Sequence, residues 1–494
     1  MKRPHDLSPA LLSRARILCV LLAALLAGCA RSPDRHAFPP AGTPAAWSTP
    51  AASAEVPTRD WWTTLDSAEL NAFIDEALAV NPDLEAAVAR LDAAIAQAAI
   101  AGADLSPGVG LGFDSQRRQQ NFVGFPIPGQ GDEVLTTRST SHAVSFNVSW
   151  ELDLWGRVRA GQRAALAEVQ ASAADFNGAR LSLAAQTAKA WIALTETRRQ
   201  LELARSTVDN HRQTAGQVRD RYERGLRSPL DLRLAQASLH DAEALAALRG
   251  AELDAAKRGL EVLLGRYPSG TLQAIAELPD IPVSVPAGLP AQLLERRPDL
   301  IVAERRLAAS HSRVQEAKAA LLPRISLTAS GGRSSSELDD LLSSQFNVWS
   351  LAGNLAQPLL EGGRLQANVD LSEARGREAL AAYASTVLRA FSEVETALAA
   401  ESHLEQREQD LLHSVEQSRA ALVLAEDRYR LGLEEMVTLL ESQRRLLNAE
   451  SQWIAVRRQR LENRVDLHLA LGGGFSIEPD AARVSKNPVP LPLN

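Results

Sequence analysis

The sequence predicts a mainly α-helical chain with a small β part, built by internal duplication around long coiled-coil helices. Three observations lead there. The segment "RYERGLRSPLDLRLAQASLHDAE" from Arg221 is nearly repeated as "RYRLGLEEMVTLLESQRRLLNAE" from Arg428, 207 residues later. No proline interrupts residues 157–228, so a single helix can run through most of that span. Aromatic residues are only 4% of the 494 against 45% apolar residues, a balance that suits closely packed alanine-rich helices over a large mixed core.

The duplication extends along the whole chain. Pro82 matches Pro298 and Pro107 matches Pro323, both at an offset of 216. Gly156 matches Gly363, Gly225 matches Gly432 and Gly265 matches Gly472, all at 207. The nine-residue difference falls between Pro107 and Gly156, so one loop is longer in the first copy and the register holds elsewhere.

At the N-terminus, Lys2, Arg3, Arg14 and Arg16 precede the apolar run "ILCVLLAALLAG" and then Cys29. A charged head, a short apolar stretch and small residues before the cut read as a signal peptide over 1–28. Leu26-Ala27-Gly28-Cys29 resembles the bacterial lipobox, which predicts a covalent lipid on Cys29; cleavage nearby with Cys29 incidental is the alternative. Ala30 after the cysteine resembles the outer-membrane sorting pattern. Cys19 would leave with the signal, so the mature chain has no pair for a disulfide. Residues 29–60, rich in Pro, Ala and Ser, read as a lipidated tether.

The first repeat is expected over 61–265, with a helix from Pro82 to Asp104 and a β-hairpin at about 108–154. In "VSFNVSWELDL" the residues Val144, Phe146, Val148, Trp150, Leu152 and Leu154 alternate with polar ones, the pattern of a strand with one apolar face. Its length suits a transmembrane strand of ~9–11 residues, although a soluble sandwich would show the same alternation. Its expected partner is "GVGLGF" near Gly108, across the loop "NFVGFPIPGQGDE". A long helix follows over 157–224, ~100 Å at the α-helical rise, then a tip turn at 225–229 and a helix over 230–265. Residues 266–296 read as an inter-repeat equatorial linker.

The second repeat, 297–472, is expected to carry a hairpin at about 324–360, a long helix over 364–430, a tip turn at 431–434 and a helix over 435–471, before a tail at 473–494. In the long helix of the first copy, Ala160, Ala164, Ala167, Ala171, Ala174, Gly178, Leu181, Ala185, Ala188 and Ile192 recur every four and three residues. Leu194, Leu201, Val208, Ala215 and Tyr222 continue at sevens. Such a seam of small residues lets helices approach closely and supercoil, as any intramolecular coiled coil would.

The net charge of −7 argues against a nucleic-acid partner. The nine histidines stand in no metal-ligand spacing, and no nucleophile elbow or phosphate loop occurs, so no enzyme is expected. Four strands are too few to close a barrel, and an open edge in lipid is costly; either the strands lie outside the membrane or several chains share one barrel.

Several pieces together resemble the TolC-like outer membrane efflux proteins, in the NodT-type lipoprotein branch. They are "GLPAQLLERRPDLIVAERRL" with "AKAALLPRISL", the junction "SWELDLWGRVR", the paired "RY…GL" segments and the terminal "ALGGGF". The resemblance runs from about Trp61 to Phe475. It implies a homotrimer with an α-helical tunnel and a shared twelve-stranded transmembrane β-barrel, four strands from each chain. It implies an exit duct for small molecules such as drugs, served by a periplasmic adaptor and an inner-membrane pump of the resistance-nodulation-division type. A type I protein-secretion duct and a non-conducting coiled-coil lipoprotein are the rival readings.

By the same resemblance, Gly225, Leu226, Gly432 and Leu433 form the adaptor-docking tip, unless the leucines merely tuck under their helix ends. Arg428, Tyr429, Val437 and Glu441 match the residues that close the periplasmic gate. Val437 and Glu441 depart from the family's Leu and Asp, and the first copy has Leu234 where the second has Glu441. In a trimer Glu441 would make a ring of carboxylates; a solvated helix face is the plainer alternative. No cofactor is expected besides the lipid on Cys29.

Overall fold

A computed structural model describes residues 44, 46–48, 60–122, 135–273, 277–281 and 290–473. Cys29, the segment 1–28, the loop 123–134 and the tail beyond 473 lie outside the described residues.

After a 3-10 turn at Trp61–Leu65 comes α1 (Ala68–Val80), capped by Ser67, whose hydroxyl accepts the Leu70 N–H. Helix α2 (Pro82–Ala103) starts at once, because Asn81 Oδ1 accepts the N–H groups of Asp83 and Leu84 and Pro82 fits the first turn. Strands β1 (Gly108–Phe122) and β2 (Leu135–Leu152) follow, then α3 (Arg157–Glu223) and α4 (Pro229–Leu263). A short helix α5 (Pro290–Arg296) leads into α6 (Pro298–Ala319), β3 (Arg324–Ser335) and β4 (Asn347–Ala356). The chain closes with α7 (Arg364–Arg430) and α8 (Met436–Ala470). Leu154, expected on the strand, lies past the end of β2 at Leu152, and two further details differ from the sequence reading. Strands β1 and β2 run well past the apolar alternation into polar sequence, and α5 occupies the end of the segment expected to be linker.

Helix α3 is the axle of the fold. Near the strands it packs between α2 and α6, and farther along against α4 and α8. Its small seam makes this close packing possible: Ala171 and Ala174 meet Val302 of α6, while Val169 meets Leu91 and Ala98 of α2. The seven-residue ladder stays buried through Leu201, Val208 and Ala215, but Tyr222, expected to continue it, is 39% exposed. Although α3 and α7 each have 67 residues, 25 are buried on α3 and nine on α7, so one face of α7 is left uncovered within a single chain.

Each copy is closed by a matched fastening between the short helix before its hairpin and its last helix. Asn81 Nδ2 donates to the Leu263 carbonyl at 3.0 Å, tying the start of α2 to the end of α4. At the equivalent place Arg297 Nη1 donates to the Ala470 carbonyl at 3.1 Å, tying α6 to α8. Arg297 also makes ion pairs with Asp299 and with Glu393 of α7, both at 2.7 Å. Burial alone would lower its pKa; the hydrogen bonds to these carboxylates outweigh that and hold it above the ordinary value.

Near the end of α8, the buried His468 ring stacks on Trp61 at 5.1 Å between centroids. Burial, reinforced by the Arg464 charge, pushes its pKa down to about 4. An unfolded histidine titrates near 6.5, so below that pH the unfolded chain takes a proton that the folded chain refuses. Stability contributed by neutral His468 is therefore complete above about pH 6.5 and falls as pH drops toward 4. At pH 5 the loss is expected to be about 2 kcal/mol relative to pH 7.5. Urea midpoints of the wild type and of His468→Gln at the two pH values check this; the difference between pH values should shrink in the variant.

The four strands form one antiparallel sheet in the order β1-β2-β3-β4. Registered neighbours share a face, so Val109–Val148–Ala329–Leu351 and Leu111–Phe146–Gly331–Trp349 lie in rows across one side. Trp150–Leu327 and Leu152–Ile325–Leu355 extend the same side. The opposite side carries Ser145, Asn147, Ser149, Glu151, Ser326, Thr328, Ser330 and Asn354. Side chains such as Leu111, Phe146, Trp349 and Leu351 are more than half exposed. The sheet thus has one apolar face and one polar face, with no other layer upon either among the described residues.

Candidate functional site: the helical tip

The end of the helices remote from the sheet holds two turns of the same construction. After α3, Gly225 sits at φ 74°, its N–H bonds to the Tyr222 carbonyl and the Leu226 N–H bonds back to Arg221 O at 2.8 Å. After α7, Gly432 sits at φ 74° and the Leu433 N–H bonds back to Arg428 O at 2.9 Å. The six-to-one bond demands a left-handed residue, which glycine supplies without strain. Leu226 is 68% and Leu433 65% exposed, so neither leucine tucks under its helix end. Both turns present an apolar side chain outward.

Behind them lies a small core of Ala215, Val218, Ala235, Ala425, Tyr429, Met436 and Leu439, which joins the two copies. Tyr429 is 4% exposed within it. The guanidinium of Arg227 stands 4.4 Å from the centre of its ring, and Arg227 Nη2 donates to its carbonyl at 3.2 Å. Arg221 stands 5.8 Å from the ring on the same basis. Burial drives the Tyr429 pKa up, with Asp231 adding to the rise and Arg227 and Arg221 opposing it.

The four residues matched to a gate are not brought together within one chain. Tyr429 belongs to the tip core, Arg428 pairs with Glu434 at 3.3 Å and Val437 is 58% exposed. Glu441 is engaged by its own helix: Arg444 at 2.6 Å and Arg445 at 3.0 Å, of which Arg444 is the main cause that lowers its pKa. Sequence reasoning missed Arg227, Arg444 and Arg445. Arg227 was visible in principle, since it and Glu434 stand at matching positions of the two copies with opposite charge. Arg221 and Arg227 of the first copy stand over the covered Tyr429, while its counterpart Tyr222 is 39% exposed.

Residues 73–266 and 289–473 match the family model described as outer membrane efflux protein. The chain belongs to that family. It is 33% identical over 474 residues to the pyoverdine export outer membrane protein OpmQ of Pseudomonas putida, covering 94% of this chain and 98% of the relative. It is 31% identical over 473 residues to the antibiotic efflux pump outer membrane protein ArpC of the same species, covering 94% and 96%. A crystal structure of a membrane protein from Pseudomonas aeruginosa superposes with a TM-score of 0.82 at 32% identity, covering 91% of this chain and 99% of that one. The chain is therefore an outer membrane efflux channel, the exit duct of a tripartite system. Its fold is that of the TolC-like channels, long helices with four strands per chain. Conduction asks for no catalytic centre, and no group of three or more metal-ligating side chains occurs among the described residues.

Proposed function

We propose that three copies of this channel assemble into a conduit for small organic molecules such as drugs, anchored additionally by a lipid on Cys29. The observation that carries the assembly is a four-stranded sheet with an apolar face and two edges, β1 and β4, that are unpaired among the described residues. Within lipid, unpaired backbone groups cost several kcal/mol each, so the edges must meet those of other copies. Three copies give twelve strands, above the smallest closed membrane barrels of about eight. The uncovered face of α7, with Leu371, Leu388, Leu412 and Leu424 at least 39% exposed, supports the same reading for the tunnel wall. The apolar sheet face also argues against a non-conducting spacer, which needs none.

Small-molecule cargo is supported by the relatives that export pyoverdine and antibiotics. The tip turns with Leu226 and Leu433 are the docking points for the helical hairpins of a periplasmic adaptor, which links the channel to a resistance-nodulation-division pump. The lipobox-like stretch ending at Cys29 supports assignment to the NodT-type lipoprotein branch. One measurement tests assembly and anchor together: the native mass of the detergent-purified channel. Three chains, each heavier than the 29–494 polypeptide by its acyl groups, is the expected result; a lone protomer refutes the trimer, and an unmodified mass refutes the lipid.

Glu441 bears on conduction. With Arg444 and Arg445 it forms a local cluster of net positive charge that its carboxylate partly neutralises. Glu441→Ala is expected to raise conductance in planar bilayers and to move the reversal potential toward anion preference, because two arginines lose their partner. Unchanged conductance and selectivity would remove Glu441 from the lining of the path.

A further inference from the structure

Strands β1 and β2 continue past the apolar rows, and the polar continuation is not evenly charged. At the outer limit of the apolar face the row reads Phe113–Val144–Arg333–Asn347. The next rows on that same side are Ser115–His142–Ser335, Arg117–Thr140 and Gln119–Arg138. Three arginines and a histidine therefore follow the apolar band within about 20 Å along the strands. No Asp or Glu stands at any of these strand positions. Asp114 is on the opposite side, and Asp340, beside the hairpin of β3 and β4, accepts the Ser335 hydroxyl at 2.6 Å. Arg117 and Arg138 are exposed. Gln119 Oε1 accepts from Arg138 Nε at 2.9 Å, Ser115 Oγ lies 2.8 Å from His142 Nδ1, and Arg333 donates to Asn347 Oδ1 and the Leu341 carbonyl.

The other end of the apolar face is different. It closes on Trp150, whose Nε1 donates to the Leu105 carbonyl at 3.0 Å where the helices begin, and it carries no basic residue in the rows Trp150–Leu327 and Leu152–Ile325–Leu355. The helices are periplasmic in this family of channels, so the basic end faces outward from the cell.

We propose that Arg117, Arg138 and Arg333 form a binding surface for the phosphate groups of lipids in the outer leaflet. The inference rests on the apolar sheet face being the lipid-facing one. A residue placed on that face just beyond the hydrocarbon lies at headgroup depth, where long cationic side chains reach phosphate while their stems cover acyl chain. Guanidinium binds phosphate through two parallel N–H donors, and a site next to hydrocarbon screens the charge less than bulk water does. The basic rows anchor the barrel at a fixed depth and order a collar of anionic lipid around it.

The test is native mass spectrometry of the full-length assembled channel with diphosphoryl lipid A and, separately, with its dephosphorylated form. The variant is Arg117→Gln/Arg138→Gln, which keeps Arg333 because that guanidinium also holds the top of β3 and β4. Expected is at least tenfold weaker retention of the diphosphoryl lipid by the variant, and equal weak retention of the dephosphorylated lipid by both proteins. Equal retention of the diphosphoryl lipid by variant and wild type, or no preference of the wild type for the phosphorylated form, overturns the proposal. Quenching of Trp349 by brominated acyl chains reports the lipid-facing side independently. Loss of retention with quenching intact locates the effect in the arginines, while an unquenched Trp349 sinks the underlying assignment of faces and the proposal with it.

Discussion

A channel carrying Leu226→Asp with Leu433→Asp loses drug resistance to the level of cells without the channel, while its oligomer accumulates normally. Both leucines are about two-thirds exposed and are not among the buried members of the tip core, so the substitutions cost the folded chain little. Docked against an adaptor they would be enclosed. Burying a leucine is worth about 2 kcal/mol, and an aspartate in its place adds a desolvation penalty. Even the first term alone weakens each contact by more than tenfold. Minimum inhibitory concentrations, adaptor pull-down and oligomer level on semi-native gels measure the three quantities. The double variant Leu226→Ala/Leu433→Ala should fall between. Full resistance in the aspartate variant would move docking away from the tip.

Arg297→Ala is expected to destabilise the protein by about 2–3 kcal/mol, against about 1 kcal/mol for the matching Asn81→Ala. Asn81 caps one helix and reaches one carbonyl; its loss is that of an N-cap. Arg297 is 7% exposed and joins Asp299, Glu393 and the Ala470 carbonyl, so its removal strands groups from three helices. The figure stays below the ~3–5 kcal/mol of a fully enclosed pair because both carboxylates are 45% exposed and partly screened by water. Arg297→Lys should recover only part of the loss, since an ammonium cannot span the same partners as a planar fork. The temperature at which the oligomer dissociates gives the comparison; equal shifts for the two alanine variants would mean that the ion pairs to Asp299 and Glu393 contribute nothing.

The duplication, its register and the helix ends were legible because each rests on local chemistry. A left-handed residue at Gly225 or Gly432, a proline at the start of Pro82 or Pro298 and an uninterrupted run of helix formers are read from a few neighbours. Apolar alternation from Val144 to Leu152 was legible for the same reason. The extension of β1 and β2 into "DSQRRQQ" and "TTRSTSH" was not, because polar residues on both faces show no period; cross-strand pairing alone makes them strand. Likewise the gate residues carried over as a group separate into a core tyrosine, a turn salt bridge and a helix-surface carboxylate, because their partners come from residues that the pattern does not mention.

By itself the sequence determined where the long helices start and stop, that the unit occurs twice, and which strand positions are apolar, since those follow from backbone preference and side-chain polarity over short distances. The tertiary structure alone decided that Tyr429 is buried while Tyr222 is not, that Arg297 bridges three helices, and that arginines from β1, β2 and β3 share one face. Those outcomes depend on groups far apart in the chain, such as Arg297 and Ala470, 173 residues apart, or on different strands, meeting at a few ångströms. Only the packed chain brings such charges and rings close enough for their energies to exceed thermal motion.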